Sequence, residues 1–227
     1  MKAEEAFAKA GSDYKRLKKD IQDIENKGKA PAKDKDDLVG NDEERNRRGT
    51  IYREAQGKAN LSEKQKRAIS DYTDEGGSRP YSDLNACLRQ PAKCDPTNKK
   101  WTSQHTKELD SALKALPKND KGEEFWRGTK ADKGKAAELY DALENAKPGT
   151  KIKDPAFGSY TYDKAVAKGF TSNETRSILF VSRHKDLTPI DTFSEISLER
   201  EALLPRGTTQ TIRSVTKDGE RLIVELD

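Results

Sequence analysis

Apolar residues are sparse before about residue 58 and dense from Phe125 onward. That imbalance predicts one compact domain in the C-terminal three quarters of the chain, preceded by a polar helical extension. Within the extension, Phe7, Ala10, Tyr14, Leu17, Ile21 and Ile24 recur at spacings of three and four. Residues 4–26 therefore read as an amphipathic helix that docks on its own domain, on a partner or on a membrane surface. Residues 27–40 form a Gly/Pro/Lys/Asp connector, and a second polar helix capped by Asn41 runs to about Gly57. The domain proper opens with a helix over Leu61 to Tyr72, with Ser62 as its N-cap. A break follows over Thr73 to Pro80, then helices over Tyr81 to Arg89 and Lys107 to Leu116. Phe125 to Thr129 is the first strand, and Lys135 to Ala146 a helix closed by Pro148-Gly149. Lys151 to Thr161 carries a short strand into a turn, and Asp163 to Phe170 holds a turn or two of helix. Ile178 to Ser182 is an unbroken apolar run, as in a strand buried on both faces. Strands over Glu199 to Leu204, Thr209 to Val215 and Arg221 to Leu226 complete the C-terminus. Helices come first and strands follow, so the class is α+β rather than alternating βαβ.

Composition narrows the chemistry. Of 227 residues, 32% are hydrophobic and 37% charged, which gives a thin core under a heavily solvated surface. The net charge of +4 permits attraction to nucleic acid but does not demand it. Basic runs such as Lys64-Gln65-Lys66-Arg67 lack interleaved aromatic residues, so a nucleic-acid-binding module is the weaker reading and no stable nucleic-acid partner is expected. No apolar run is long enough to span a bilayer, and no signal peptide is visible in this chain. The only histidines, His105 and His184, sit in no motif, which argues against histidine-based catalysis or a histidine-rich metal centre. Cys87 and Cys94 either close a small loop around Pro91 or are two reduced thiols.

The candidate chemistry lies in Glu199-Arg200-Glu201. On an extended segment these two carboxylates point to one face, and the apolar run Ala202-Leu203-Leu204 that follows sets them at the mouth of a buried strand. Two anions held together beside a core call for a cation, either a guanidinium or positive charge developing on a sugar. Three other fragments are weak alone: Arg127-Gly128 in FWRGT, Ser159 in FGSYT, and the early set Tyr72, Tyr81, Asn85 and Arg89.

Taken in order the fragments are far more specific. FWRG, then GTKIKDPAFGSYT with a trailing Ala167 and Phe170, then an apolar strand, then IDTFSEISLEREALLPRGT closely resembles the mono-ADP-ribosyltransferases of the arginine–serine–glutamate class, over roughly residues 60–227. Tyr72, Thr73, Tyr81, Asn85, Leu88 and Arg89 match the helical opening of the bacterial toxin branch. The resemblance implies two roughly perpendicular, mainly antiparallel sheets with a cleft between them and helices on the N-terminal side. Residues 1–57 would be a charged helical extension and 58–227 the catalytic domain. It implies NAD⁺ as substrate and no metal. Arg127 would hold the dinucleotide phosphates, with Gly128 allowing close backbone approach and Arg176 as a second phosphate-binding arginine. Ser159 would position the catalytic Glu201. Here the triplet is Ser159-Tyr160-Thr161 where the family has Ser-Thr-Ser, so Thr161 keeps a hydroxyl and Tyr160 departs. Tyr72, Tyr81 and Asn85 would line the nucleotide site and Phe170 would pack on the nicotinamide side. Ile190 to Arg200 would be the loop that selects the acceptor, with Phe193 as its exposed aromatic. Glu199 would make the acceptor an arginine, on a target protein in a host or competitor cell that a secreted or delivered toxin reaches. Hydrolysis of NAD⁺, or transfer to nucleic acid, is the alternative reading of the same chemistry.

Overall fold

The computed structural model describes residues 41–74 and 81–227; the amphipathic helix and connector expected before residue 41 lie outside the described residues. Glu43–Asp227 form one compact unit.

Four helices open it: α1 (Asn41–Gly57), α2 (Glu63–Thr73), α3 (Tyr81–Arg89) and α4 (Pro96–Ala115). Ser62 starts α2 through a capping box, its hydroxyl accepting from the Gln65 N–H while the Gln65 side chain accepts from the Ser62 N–H. Helix α4 begins well before the expected Lys107. Asp95 caps it by accepting from the N–H groups of Thr97 and Asn98, and Pro96 occupies the first turn, where no N–H is needed. Its early turns are polar, so hydrophobic spacing does not reveal them. Cys87 and Cys94 form a disulfide between the end of α3 and the approach to α4.

The strands are β1 (Phe125–Lys130), β2 (Lys151–Lys153), β3 (Gly158–Thr161), β4 (Ser177–Ser182), β5 (Thr188–Pro189), β6 (Glu201–Leu204), β7 (Thr209–Asp218) and β8 (Arg221–Leu226). Helix α5 (Gly134–Glu144) follows β1, and α6 (Lys164–Gly169) follows β3. The spatial order is β2-β7-β8-β4-β1-β3-β6-β5. Only β4 and β8 run parallel; the other pairings are antiparallel. β4, buried along its whole length, sits between β8 and β1 as its apolar run requires. Strands β1 and β3 meet at a single register pair, Trp126 with Thr161. The order therefore consists of a β2-β7-β8-β4-β1 group and a β3-β6-β5 group hinged at that pair.

Of three apolar clusters among the described residues, the smallest joins Trp126, Leu179 and Val181 to Ala167 of α6, and two larger ones serve these groups. In one, Phe125, Tyr162, Ile178, Leu222, Val224 and Leu226 pack with Tyr140 and Leu143 of α5 and with Tyr52 of α1. In the other, Ile69, Leu84, Leu109 and Leu113 of the helices pack on Phe157, Ile190 and Leu203. The period-two alternation of β3 and β6 explains the split: Tyr160, Ala202 and Leu204 face the first cluster, while Leu203 faces the helices. Arg48 joins α1 to this core, its buried guanidinium lying 4.7 Å from the Phe125 ring centre and donating to the Glu124 carbonyl.

Candidate active site

A cleft of about 600 Å³ opens where β1, β3 and β6 meet helices α2, α3 and α6. Its lining includes Tyr72, Tyr81, Asn85, Arg127, Gly128, Ser159, Thr161, Phe170, Glu199 and Glu201. Segments more than a hundred residues apart in the chain thus converge on one crevice.

Glu201 begins β6 opposite Thr161 and is only 8% exposed. Beside it runs a chain of polar groups. The Asn85 amide donates to the Tyr72 phenol oxygen at 3.0 Å, and that oxygen lies 3.4 Å from the Ser159 hydroxyl. The Asn85 carbonyl oxygen accepts from the Phe157 N–H, fixing α3 to the start of β3. Burial, and then the Glu201 carboxylate, push the Tyr72 phenol up to about 12. Tyr72 therefore stays protonated across the ordinary pH range, able to donate.

The two glutamates reach the cleft by a route the sequence does not suggest. Glu199 is not extended; it closes a 3-10 turn over Ser197–Glu199, and Arg200 turns the chain through a left-handed conformation at φ 50°. Such a conformation is uncommon for a residue with a side chain and has to be held by its surroundings. Asp163 holds it by pairing with the Arg200 guanidinium at 3.3 Å, and the Tyr162 N–H donates to the Arg200 carbonyl. The Thr161 hydroxyl donates to the Glu199 carbonyl at 2.7 Å and accepts from the Asp163 N–H. Thr161 thus acts on the turn, through backbone groups.

Arg127, on β1, is half-buried in the cleft, and its guanidinium forms no ion pair among the described residues. Arg89 also lines the cleft but is engaged by the Asp154 carboxylate in a two-pronged pair at 3.0 and 2.7 Å. That pairing raises the Arg89 guanidinium further. Burial opposes the charge on Asp154, yet Arg89 and the Ala156 N–H hold its carboxyl below the usual range. A half-buried guanidinium with no ion pair among the described residues, beside one that is paired, has donors free for an anionic ligand.

The remaining expected residues fall partly in the cleft and partly outside it. A Cβ on Gly128 would stand 2.0 Å from the Ala167 carbonyl oxygen. The close approach of α6 to β1 thus requires a glycine at this lining position. Tyr160 borders the cleft but sends its phenol into the core, where it donates to Gln210. Arg176 is not among the lining residues; it pairs with Asp141 and lies 4.2 Å over the Tyr140 ring. Phe193 is half-buried against the helical cluster, whereas Leu198, 65% exposed, is the apolar residue the Ile190–Arg200 loop presents to solvent. Phe170 is 50% exposed at the rim. Trp126 in the lining and Asp154 on Arg89 have no signal in the sequence: a tryptophan before Arg127 and a lone aspartate before a proline carry no spacing pattern.

Residues 50–227 match the profile of the ADP-ribosyltransferase exoenzyme family. The chain belongs to that family. Its members are NAD⁺-dependent transferases, and toxins stand among its structural neighbours. The Vis toxin of Vibrio splendidus superposes with a TM-score of 0.64 at 19% identity, over 83% of this chain and 84% of that one. Vis has also been crystallised with agmatine. The C3 exoenzyme of Clostridium limosum gives 0.58 at 16% identity, over 78% and 90%. Exoenzyme S of Pseudomonas aeruginosa, in a complex with human 14-3-3 protein beta and carba-NAD, gives 0.56 at 17% identity, over 78% and 80%. At these identities the likeness is one of fold. No curated protein matches the sequence.

Proposed function

We propose that this transferase moves ADP-ribose from NAD⁺ to the guanidinium of an arginine on a target protein, as a toxin secreted or delivered into another cell. The reading rests on one observation above all: Glu199 and Glu201 line the same cleft as Arg127.

Arg127 would grip the diphosphate, and Tyr72, Tyr81 and Asn85 would line the nucleotide site. Phe170, exposed at the rim, would cover the nicotinamide face. Glu201, with Ser159 and Tyr72 beside it, supplies negative charge where the bond between nicotinamide and ribose breaks and its electron pair departs on the nicotinamide nitrogen. Positive character builds on the sugar, as in glycoside cleavage. A preorganised carboxylate there lowers the barrier by about 3 kcal/mol or more. Glu199 attracts the acceptor guanidinium and takes a proton from it as the new carbon–nitrogen bond forms. Agmatine, which Vis binds, is itself a guanidine, and this supports a cationic acceptor here.

The test is to incubate the protein with NAD⁺ and agmatine or an arginine-rich protein, measuring nicotinamide released against label transferred. Glu201→Gln should lose both activities. Glu199→Gln should lose transfer but keep much of the slower hydrolysis. Full transfer by Glu201→Gln would sink the assignment. Nicotinamide release with no label on any acceptor would make the protein an NAD⁺ hydrolase instead.

A further inference from the structure

The loop that carries Glu199 is anchored at its base by a residue with no place in the site. Gln56, on α1, is fully buried. Its amide nitrogen donates to one oxygen of Asp191 at 2.8 Å, and its amide oxygen accepts from the Thr192 N–H at 3.0 Å. The other oxygen of Asp191 accepts from the Tyr162 phenol at 2.8 Å. Every strong hydrogen-bonding atom in this trio is engaged, within a part of the molecule that excludes water.

The trio sits where it controls the turn between the two glutamates. Ile190, next to Asp191, donates its N–H to the Glu201 carbonyl, and Tyr162 donates its own to the Arg200 carbonyl. The Gln56–Asp191–Tyr162 clasp therefore ties together the two segments that flank Arg200 and Glu201. Glu201 has a second support, since β6 pairs along its length with β3. Glu199 lies in a 3-10 turn rather than a strand; its N–H donates to the Ile196 carbonyl, its own carbonyl accepts from the Thr161 hydroxyl, and the placement of the turn follows the placement of the loop.

We propose that Gln56 is a positioning residue for acceptor transfer: through Asp191 it holds the loop so that Glu199 meets the guanidine, while cleavage of NAD⁺ at Glu201 does not depend on it. This inference rests on the arginine-acceptor reading above. Placement errors on the order of 1 Å can cost a reaction about a hundredfold, so a loosened loop should register strongly in transfer.

The experiment exchanges donor and acceptor across the pair. In Gln56→Glu two carboxylates face each other, while the Thr192 N–H keeps its partner. In the double variant Gln56→Glu with Asp191→Asn, the new amide can donate to the new carboxylate and its oxygen can still accept from Tyr162. Wild type and both variants are assayed with NAD⁺ alone and with agmatine, alongside thermal melts. Gln56→Glu should lose agmatine transfer by about tenfold or more, chiefly as a raised KM for agmatine, with nicotinamide release staying within about twofold. The exchange variant should regain most of the transfer. Should Gln56→Glu fail to fold, Tyr162→Phe, which removes one donor to Asp191, is judged by the same ratio. Equal loss of both activities, unchanged transfer, or a folded exchange variant that regains nothing would each overturn the role of the clasp. A wild-type protein that releases nicotinamide but labels no guanidine would overturn the acceptor reading, and with it the clasp. Wild-type transfer with the wrong variant pattern overturns the clasp alone.

Discussion

The hydroxyl of Thr161 donates a 2.7 Å hydrogen bond to the carbonyl of Glu199, across a gap of 38 residues in sequence. A side chain at the end of β3 thereby fixes the height of the turn that presents one glutamate, while the same residue faces the other glutamate in register.

Thr161→Val keeps the shape and removes that bond, leaving the Glu199 carbonyl and the Asp163 N–H unpaired in a half-buried setting. Stability should fall by about 1–3 kcal/mol in urea titrations. Transfer to a guanidine should fall several-fold more than acceptor-free nicotinamide release. Equal falls would show that the hydroxyl has no bearing on Glu199.

Arg127 has no ion pair among the described residues, so Arg127→Ala should melt close to wild type. Its binding of NAD⁺ should weaken by roughly tenfold to a hundredfold, the worth of charge-assisted hydrogen bonds to phosphate. Calorimetry against NAD⁺ and thermal melting on the same samples check both halves.

Gly128→Ala drives a methyl group into the Ala167 carbonyl, so α6 has to move away from β1. We expect a loss of about 3 kcal/mol or more, the upper end of overpacking costs, with NAD⁺ binding lost as Phe170 shifts along with α6. A variant as stable as wild type would show that α6 yields without strain.

Alkali should destabilise the fold through buried phenols. Burial raises Tyr52 and Tyr72 to about 12 each, from 10.0. The folded state then holds protons that the unfolded chain releases, so the stabilisation is complete below about pH 10 and is lost as pH rises towards about 12. Each phenol contributes on the order of 2 kcal/mol. Urea midpoints should fall over that window. In Glu201→Gln, ultraviolet titration should show the Tyr72 phenol ionising at lower pH than in wild type, because the neighbouring anion is gone.

Much of this arrangement is legible in the chain. The unbroken run at Ile178 to Ser182 and the capped start at Ser62 mark their elements by local physics, and Arg127, Ser159 and Glu201 emerge because the fragments occur in a particular order. What escapes depends on partners distant in sequence. Glu199 reads as strand by its neighbours, yet Asp163 and Thr161 impose a turn on it. Gly128 signals a close approach without saying what approaches. The pairing of Arg176 with Asp141 and its place over the Tyr140 ring join residues 35 and more positions apart, which no local pattern announces. The early turns of α4 escape because their polar residues have no period, although Asp95-Pro96 announces the start.

Helix α1 joins the core through Arg48, Tyr52 and Gln56, while the family match begins at residue 50, inside that helix. A protein trimmed to start after Gly57 would lose the guanidinium that caps the Phe125 ring and the amide that steadies Asp191. The Ile190–Arg200 loop would keep its contacts to Thr73, Thr161 and Asp163 but lose those of Gln56 at its base, so such a fragment would under-represent the enzyme in any search for what it modifies.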